Sequence, residues 1–191
     1  MKRFVWFLAI TISLISCRKF PSDLPEIRAS QANAPAKTDT IPDKAALKIK
    51  LVKDSTNYDE TMMIFNHTAK PAYSPDDDAA YFTGFGKVSL CSVSTDGRNL
   101  AIYTLPYSAG MSVGLDVHGR SDGAYHLMMS YKNKIPAGIQ ILIRDTYLKD
   151  SVDVNSSDYY FNIIEADTNT FGARRFKLII KPRQVQAALP H

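Results

Sequence analysis

The sequence predicts an all-β fold, an antiparallel β-sandwich of the immunoglobulin-like or jelly-roll type with about 8–10 strands. Three observations lead to this class. Short runs from residue 46 onward alternate apolar and polar residues with a period of two, and they are rich in β-branched and aromatic residues. Turn-forming residues separate the runs. No long apolar helical period interrupts them, which favours a sandwich or barrel.

The strands follow from the alternation, taken in chain order. In the first run Leu47, Ile49 and Leu51 share one face, while lysines occupy most of the other. The remaining predicted strands cover residues 61–65, 88–93, 99–105, 111–117, 125–131, 139–143, 159–164 and 176–180, with a short strand around Val152 and Val154.

The connections and the inward face complete the expected fold. Asp96-Gly97 predicts a tight hairpin because both residues tolerate a positive φ. Residues 75–80 look like a helical turn. Alternation predicts a core of Leu47, Ile49, Leu51, Met63, Phe65, Leu90, Leu100, Ile102, Leu115, Leu127, Met129, Ile141, Ile143, Phe161, Ile163, Phe176 and Leu178.

The N-terminus has the organisation of a secretory signal. Lys2 and Arg3 precede an uncharged apolar run over residues 4–15, which is too short to span a membrane, and Cys17 follows a small residue. The Leu-Ile-Ser-Cys end of this run resembles the lipobox of bacterial lipoproteins, which implies that Cys17 is lipidated and becomes the mature N-terminus. A plain cleavable signal with a chance cysteine, or an uncleaved anchor, are the alternatives.

Four segments are therefore expected: a signal peptide at 1–16, a lipidated Cys17 with a disordered tether through residue 45, a β-sandwich domain at 46–184 and a tail at 185–191. The tether is rich in proline and small polar residues and lacks an apolar period. The domain carries 16 basic and 15 acidic residues, so its charge does not favour nucleic-acid binding. The cluster Arg174, Arg175, Lys177, Lys181 and Arg183 is expected on the solvated face of a terminal strand.

The domain contains a series of short sequence motifs whose order resembles that of a known module. The motifs are Asp59-Glu60-Thr61, Ile64-Phe65-Asn66, Tyr73 to Ala79, Asp96-Gly97-Arg98-Asn99-Leu100, Val113-Gly114-Leu115, Tyr147-Leu148-Lys149-Asp150, Tyr159-Tyr160-Phe161 and Arg175-Phe176-Lys177-Leu178. This order is similar to a β-sandwich module of Gram-negative envelope proteins that use the type IX secretion route, where it often precedes a C-terminal sorting domain. The resemblance implies a sandwich fold and an adhesive or accessory role, without catalytic residues.

Candidate site residues are few. Asp76, Asp77 and Asp78 offer oxygen ligands for calcium, although acidic residues at a helical start need no metal. Cys91 has no partner if Cys17 is lipidated, and its strand setting favours a buried thiol. The four histidines are scattered, and a Ser/His/Asp set cannot be assigned without geometry. Tyr58, Tyr73, Tyr81, Tyr103, Tyr107, Tyr147 and Tyr159 are candidates for exposed sugar-stacking rings.

We therefore expect no catalytic, cofactor-binding or metal-ligating residues and no cofactor, with Cys17 as the one modified site. The expected protein is a bacterial outer membrane lipoprotein, held at the membrane through Cys17, whose non-catalytic domain binds an envelope protein or a glycan. Arg18 and Lys19 leave both a periplasmic and a surface-facing position open. A small hydrolase acting on glycan or peptide and an assembly subunit that pairs through an edge strand are the alternatives.

Overall fold

A computed structural model describes residues 40–84 and 86–184. The predicted signal peptide, the lipidation site Cys17, the tether up to residue 39 and the tail at 185–191 lie outside these residues. The described part contains no α-helix and is built from β1 (Ala46–Val52), β2 (Tyr58–Phe65), β3 (Ala79–Ala80), β4 (Val88–Val93), β5 (Asn99–Leu105), β6 (Met111–Gly119), β7 (Gly123–Asn133), β8 (Ile139–Asp145), β9 (Asp150–Asp153), β10 (Tyr159–Ile163) and β11 (Phe176–Pro182), with one 3₁₀ turn at Thr168–Thr170. The all-β prediction is confirmed.

One continuous sheet connects all of these strands. The order along it is β10-β7-β1-β2-β5-β4-β6-β11-β8-β9, and β3 pairs with β5. Among the described strands the pairing is antiparallel except between β2 and β5, which run parallel. The sheet is therefore mixed but dominated by antiparallel pairs. Several neighbouring strands, such as β10 and β7, are distant in sequence.

The sheet is nearly closed and barrel-like. Phe161 of β10, near one end of the strand order, packs against Phe176 of β11, with ring centroids 4.6 Å apart. Arg175 completes this approach: its guanidinium donates to the Asp145 carboxylate of β8 at 2.7 and 3.0 Å and to the Asn162 carbonyl of β10 at 3.0 Å. Arg175 and Asp145 are only 3 % and 0 % exposed. The prediction that Arg175 lies on a solvated face is thus wrong, because this side chain closes the sheet from inside.

The inward face of the sheet forms the core. Fifteen of the seventeen predicted core residues are buried, and the other two, Ile102 and Met129, are half-buried. Ile102 departs from the alternation because β5 pairs with β4 up to Leu100 and with β2 from Ile102 onward. Past that change, Tyr103 and Leu105 are the inward residues of β5. Alternation therefore predicts most of the core and fails where a strand changes partners.

Buried polar groups support the place where β5 changes partners. Thr61 of β2 lies 3.1 Å from Ser92 Oγ of β4, and it accepts a hydrogen bond from the Ser92 N–H at 3.1 Å. Ser92 Oγ in turn donates to the Leu100 carbonyl at 3.2 Å. These hydroxyls therefore bond the Ser92 N–H and the Leu100 carbonyl inside the core, where polar groups need hydrogen-bond partners.

Two connecting segments differ from expectation. The sequence places residues 40–45 in the tether, whereas Ile41 and Ala45 are buried with the core, and the Lys44 N–H donates to the Phe65 carbonyl at 2.8 Å. The helical turn expected at residues 75–80 is shorter than predicted: it covers residues 75–77, where the Asp78 N–H donates to the Ser74 carbonyl at 2.9 Å, and β3 begins at Ala79. The hairpin at Asp96-Gly97 is confirmed, with Gly97 at a φ of 83°.

Candidate functional site

A cavity of about 300 Å³ opens on the outer face of β4 and β6. The inward residues of these strands, such as Leu90 and Leu115, belong to the core, so the alternate residues face the cavity. In the ladder Cys91 lies opposite Asp116, and Ser89 lies opposite His118. We call this feature the polar cavity; its lining residues are Tyr81, Thr83, Gly86, Lys87, Val88, Ser89, Cys91, Asn99, Asp116, His118, Gly119 and Arg120.

Asp116 is the only carboxylate among the described lining residues. Its Oδ2 accepts a hydrogen bond from Asn99 Nδ2 at 3.0 Å, and its Oδ1 lies 2.8 Å from His118 Nε2. The Oδ1 atom is buried and has no partner that meets hydrogen-bond geometry, so we treat the His118 contact as an ion pair. Burial by itself would raise the pKa of Asp116, but His118 and Asn99 outweigh it and lower the pKa below the ordinary value.

His118 is the partly open member of this pair, with 45 % of its side chain exposed. Its contact with Asp116 raises the pKa of the imidazole above the ordinary value, although partial burial works in the opposite direction. The ring also lies against Phe171, with centroids 5.5 Å apart. His118 is therefore held in place by Asp116 and Phe171, and the Asp116 contact favours its protonated form.

The thiol of Cys91 is free and buried at this cavity. Burial raises its pKa to about 12, and the negative charges of Asp116 and Asp59 act in the same direction. A thiolate is the reactive form of cysteine, so this environment makes Cys91 a poor nucleophile.

One wall of the cavity is held by two part-buried hydrogen bonds to the Asp59 carboxylate. The Tyr81 hydroxyl donates to Asp59 Oδ2 at 2.6 Å, and the Leu90 N–H of β4 donates to the same oxygen at 2.9 Å. Burial and the Asp59 charge raise the pKa of Tyr81. Asp59 thus links Tyr81, the residue after β3, to Leu90 of β4.

Two cations complete the cavity. Lys87 precedes β4 and Arg120 follows β6, and the Arg120 N–H donates to the Lys87 carbonyl at 2.8 Å. The Arg120 guanidinium makes only a long contact of 3.5 Å to the Gly84 carbonyl. Neither side chain pairs with an acidic group of the described residues, so both cations are available to a ligand.

A second surface lies on the outer face of the other half of the sheet. Cross-strand pairing places Tyr160 beside His126, His126 beside Val52, and Val52 beside Tyr58. The Tyr160 and His126 rings lie 5.0 Å apart, and Lys50 Nζ lies 3.7 Å from the centroid of the Tyr58 ring. Tyr160 is 68 % exposed and Tyr58 is 51 % exposed. We call these four cross-strand neighbours the aromatic row.

The structure places the predicted site residues in different environments, some exposed and some buried or bonded within the protein. Among the tyrosines proposed as exposed, Tyr58 and Tyr147 are exposed, whereas Tyr103 and Tyr159 are buried. Asp78 accepts hydrogen bonds from the backbone N–H groups of Ser74 and Thr104, which uses both of its oxygens within the protein. Over residues 40–84 and 86–184 no group of three or more His, Cys, Asp or Glu side chains is arranged to hold a metal.

Sequence reasoning missed the pairing of Asp116 with His118 and the aromatic row. The i, i+2 spacing of Asp116 and His118 was the available signal, since it places both on one face of a strand, but the predicted strand at 111–117 ends one residue before His118. The row has no comparable signal, because its members come from four strands whose order the sequence does not reveal.

Comparisons of the chain with protein-family models, with curated proteins and with solved structures give no match. In the described part of the chain, no helix has the length and apolar character needed to cross a bilayer.

Proposed function

We propose that this chain is a bacterial outer membrane lipoprotein, anchored through an acylated Cys17, whose non-catalytic β domain binds a glycan through the aromatic row. An envelope protein is the other partner that this surface would suit. The N-terminal pattern and the resemblance to the type IX-associated module support the location. The observation that carries the binding role is the alignment of Tyr160, His126, Val52 and Tyr58 across four neighbouring strands.

The dimensions of the row suit a sugar chain. Three inter-strand spacings separate Tyr160 from Tyr58, which is about 14 Å at about 4.8 Å per strand. Ring faces on the outer face of the sheet provide apolar contact for pyranose rings, and the hydroxyls and Lys50 offer polar contacts beside them. His126 is steadied by Tyr160 and lies 3.9 Å from the Asp158 carboxylate, so the platform is held in one arrangement before binding.

The two-layer form of the sandwich is part of the same proposal. Large core side chains come from both halves of the curved sheet, such as Leu47 and Leu127 on one side and Leu115 and Leu178 on the other. A flattened barrel with these halves face to face is a sandwich, and its outer faces carry the aromatic row and the polar cavity.

The binding role is tested with the mature chain carrying Cys17→Ala, which removes the anchor but keeps the rest. Pull-down on peptidoglycan sacculi and titration with soluble polysaccharides should reveal a ligand. Tyr58→Ala and Tyr160→Ala should each weaken binding about tenfold, or ~1.4 kcal/mol. Tyr147→Ala removes an exposed tyrosine elsewhere and should leave binding unchanged. Equal affinity in all three variants would refute the role of the row.

The location is tested separately. Metabolic labelling with a palmitate analogue should mark the native protein and fail to mark Cys17→Ala. An unlabelled, unprocessed N-terminus would refute the lipoprotein proposal without bearing on glycan binding.

A hydrolase is the second candidate, and the cross-strand placement of Ser89 opposite His118, with Asp116 contacting the imidazole, favours it. A single carboxylate and a protonated thiol give it less support than the binding role. Turnover of fluorogenic esters, peptides or glycosides that is lost in both His118→Gln and Ser89→Ala would establish the enzyme.

Assembly through an edge strand has the least support. Arg175 occupies the Asn162 carbonyl of β10, and the Thr170 hydroxyl accepts from the Ile164 N–H just beyond that strand. At the other end of the sheet β9 has four residues, with aspartate at both ends. Occupied backbone groups and short charged edges oppose strand addition.

A further inference from the structure

We propose that the polar cavity is a second binding site, specific for a small carboxylic acid that carries hydroxyl groups next to its carboxylate. A sugar acid has this chemistry, either as a free molecule or as the end of a glycan. The site shares no residue with the aromatic row, so this proposal does not rest on the proposed function.

The cations of the cavity select an anion. Lys87 and Arg120 both line it, and neither forms an ion pair within the described residues. The planar guanidinium of arginine matches a carboxylate with two parallel hydrogen bonds. His118 adds a third positive group when protonated, at a position half open to solvent. A carboxylate bound here would be neutralised mainly by Lys87 and Arg120, because His118 already pairs with Asp116.

Asp116 distinguishes a hydroxylated acid from a bare anion. Its Oδ1 is buried and lacks a hydrogen-bond donor of good geometry. A ligand hydroxyl that donates to the Asp116 carboxylate would add a well-aligned hydrogen bond beside the His118 ion pair. A simple anion would instead meet the Asp116 charge with no donor to offer. The cavity therefore favours a ligand whose carboxylate faces Lys87 and Arg120 and whose hydroxyl groups face Asp116.

The remaining walls fit the same ligand. Asn99, Ser89 and Tyr81 contribute an amide and two hydroxyls, which are uncharged partners for further hydroxyl groups. The volume of about 300 Å³ stands at the lower end for small-molecule sites, the size of one sugar unit rather than a chain. The Tyr81–Asp59 bond fixes one wall in advance, so little ordering is needed on binding.

The test is calorimetric titration of the mature Cys17→Ala chain with D-glucuronate, compared with D-glucose and with acetate. Glucose keeps hydroxyls without the carboxylate, and acetate keeps the carboxylate without hydroxyls. We expect glucuronate to bind at least tenfold more tightly than either. Saturable binding of glucose or acetate with equal affinity, or no binding of glucuronate at roughly 10 mM, would overturn the proposal.

Variants assign the binding to the cavity. Arg120→Gln and Asp116→Asn should each weaken glucuronate binding at least tenfold, whereas Arg144→Gln, which removes an exposed arginine of β8, should not. Unchanged affinity in both cavity variants would place the acid elsewhere and refute the site. If Asp116→Asn does not fold, the His118 ring proton signals of the unaltered chain decide: they must shift on adding glucuronate and stay fixed on adding glucose.

The source of the acid is settled by a second ligand arm. A preference for free glucuronate over an oligosaccharide that ends in glucuronate points to a free sugar acid, and the reverse preference points to a glycan terminus. Tyr58→Ala should leave glucuronate affinity unchanged, so failure of the aromatic row and failure of the polar cavity give different results.

Discussion

Replacing Arg175 with alanine removes the side chain that closes the sheet. Its guanidinium makes two hydrogen bonds to Asp145 Oδ2 and one to the Asn162 carbonyl, and it also donates to the Thr170 carbonyl. Without it, the fully buried Asp145 carboxylate keeps the Tyr159 hydroxyl at 3.0 Å and the backbone N–H groups of the following turn, but no cation.

The cost is set by that uncompensated charge. Breaking a buried ion pair from one side costs about 3–5 kcal/mol. This is a large part of the roughly 5–15 kcal/mol that stabilises a domain. At about 3 °C for each kcal/mol in a domain of this size, Arg175→Ala should lower Tm by roughly 10–15 °C. Arg175→Lys keeps the charge without the forked geometry and should fall between the variant and the native protein.

Urea unfolding followed by far-UV circular dichroism measures the loss, since the sole tryptophan, Trp6, lies in the predicted signal peptide. Arg174→Ala is the matched control, because this neighbouring side chain is exposed and its loss should change stability by no more than about 0.5 kcal/mol.

Burial raises the pKa of Asp145, but Arg175, the Leu148 N–H and Tyr159 outweigh it and lower the pKa in the folded protein. This stabilisation is present above the unfolded pKa of about 3.9 and is lost as the pH falls through the folded value.

The difference between Arg175→Ala and the native protein should therefore shrink as the pH falls below about 4. Equal stability of the Arg175 and Arg174 variants at neutral pH would show that the buried pair does not hold the sheet closed.

Three further changes test other parts of the fold. Gly119→Ala would place a Cβ 2.5 Å from the Tyr125 ring carbon Cζ, so it should cost about 1–3 kcal/mol in thermal unfolding, whereas the Cβ of Gly84→Ala would make only an ordinary contact of 3.9 Å with the Gly86 backbone nitrogen and should be nearly neutral. Thr61→Val removes the acceptor of a buried β4 N–H and should cost about 1–3 kcal/mol by urea unfolding, and a cost near zero would contradict the bonding described. Because the pKa of His118 is raised in the folded protein, its stabilisation is complete below the ordinary value of about 6.5 and is lost as the pH rises through the folded value. Tm should therefore fall between about pH 6 and 9 by more in the native protein than in His118→Gln. The pH-dependent contribution of the His118–Asp116 pair to the free energy of unfolding should stay below about 1 kcal/mol, because the pair is half exposed.

Much of the secondary structure could be predicted because alternation reports burial directly. The strands at Val88–Val93 and Asn99–Leu105 coincide with the predicted ranges. The sequence could not show that β5 leaves β4 for β2, since the switch depends on which strands become neighbours. Arg175 was misplaced for a related reason: alternation treats arginine as a solvent residue, and only the approach of β10 provides the buried partners that make its burial favourable.

The candidate sites lay beyond sequence reasoning because both are products of cross-strand order. Asp116 and His118 share a face by their spacing alone, yet the cavity needs β4 beside β6, and β5 stands between them in the chain. The aromatic row likewise needs β10, β7, β1 and β2 in that order, which no local pattern encodes. Non-local pairing therefore decides where polar side chains converge. A loss of sugar-acid binding in Asp116→Asn, with the fold intact, would locate the chemistry of this domain on its outer faces, which the core pattern leaves free to vary.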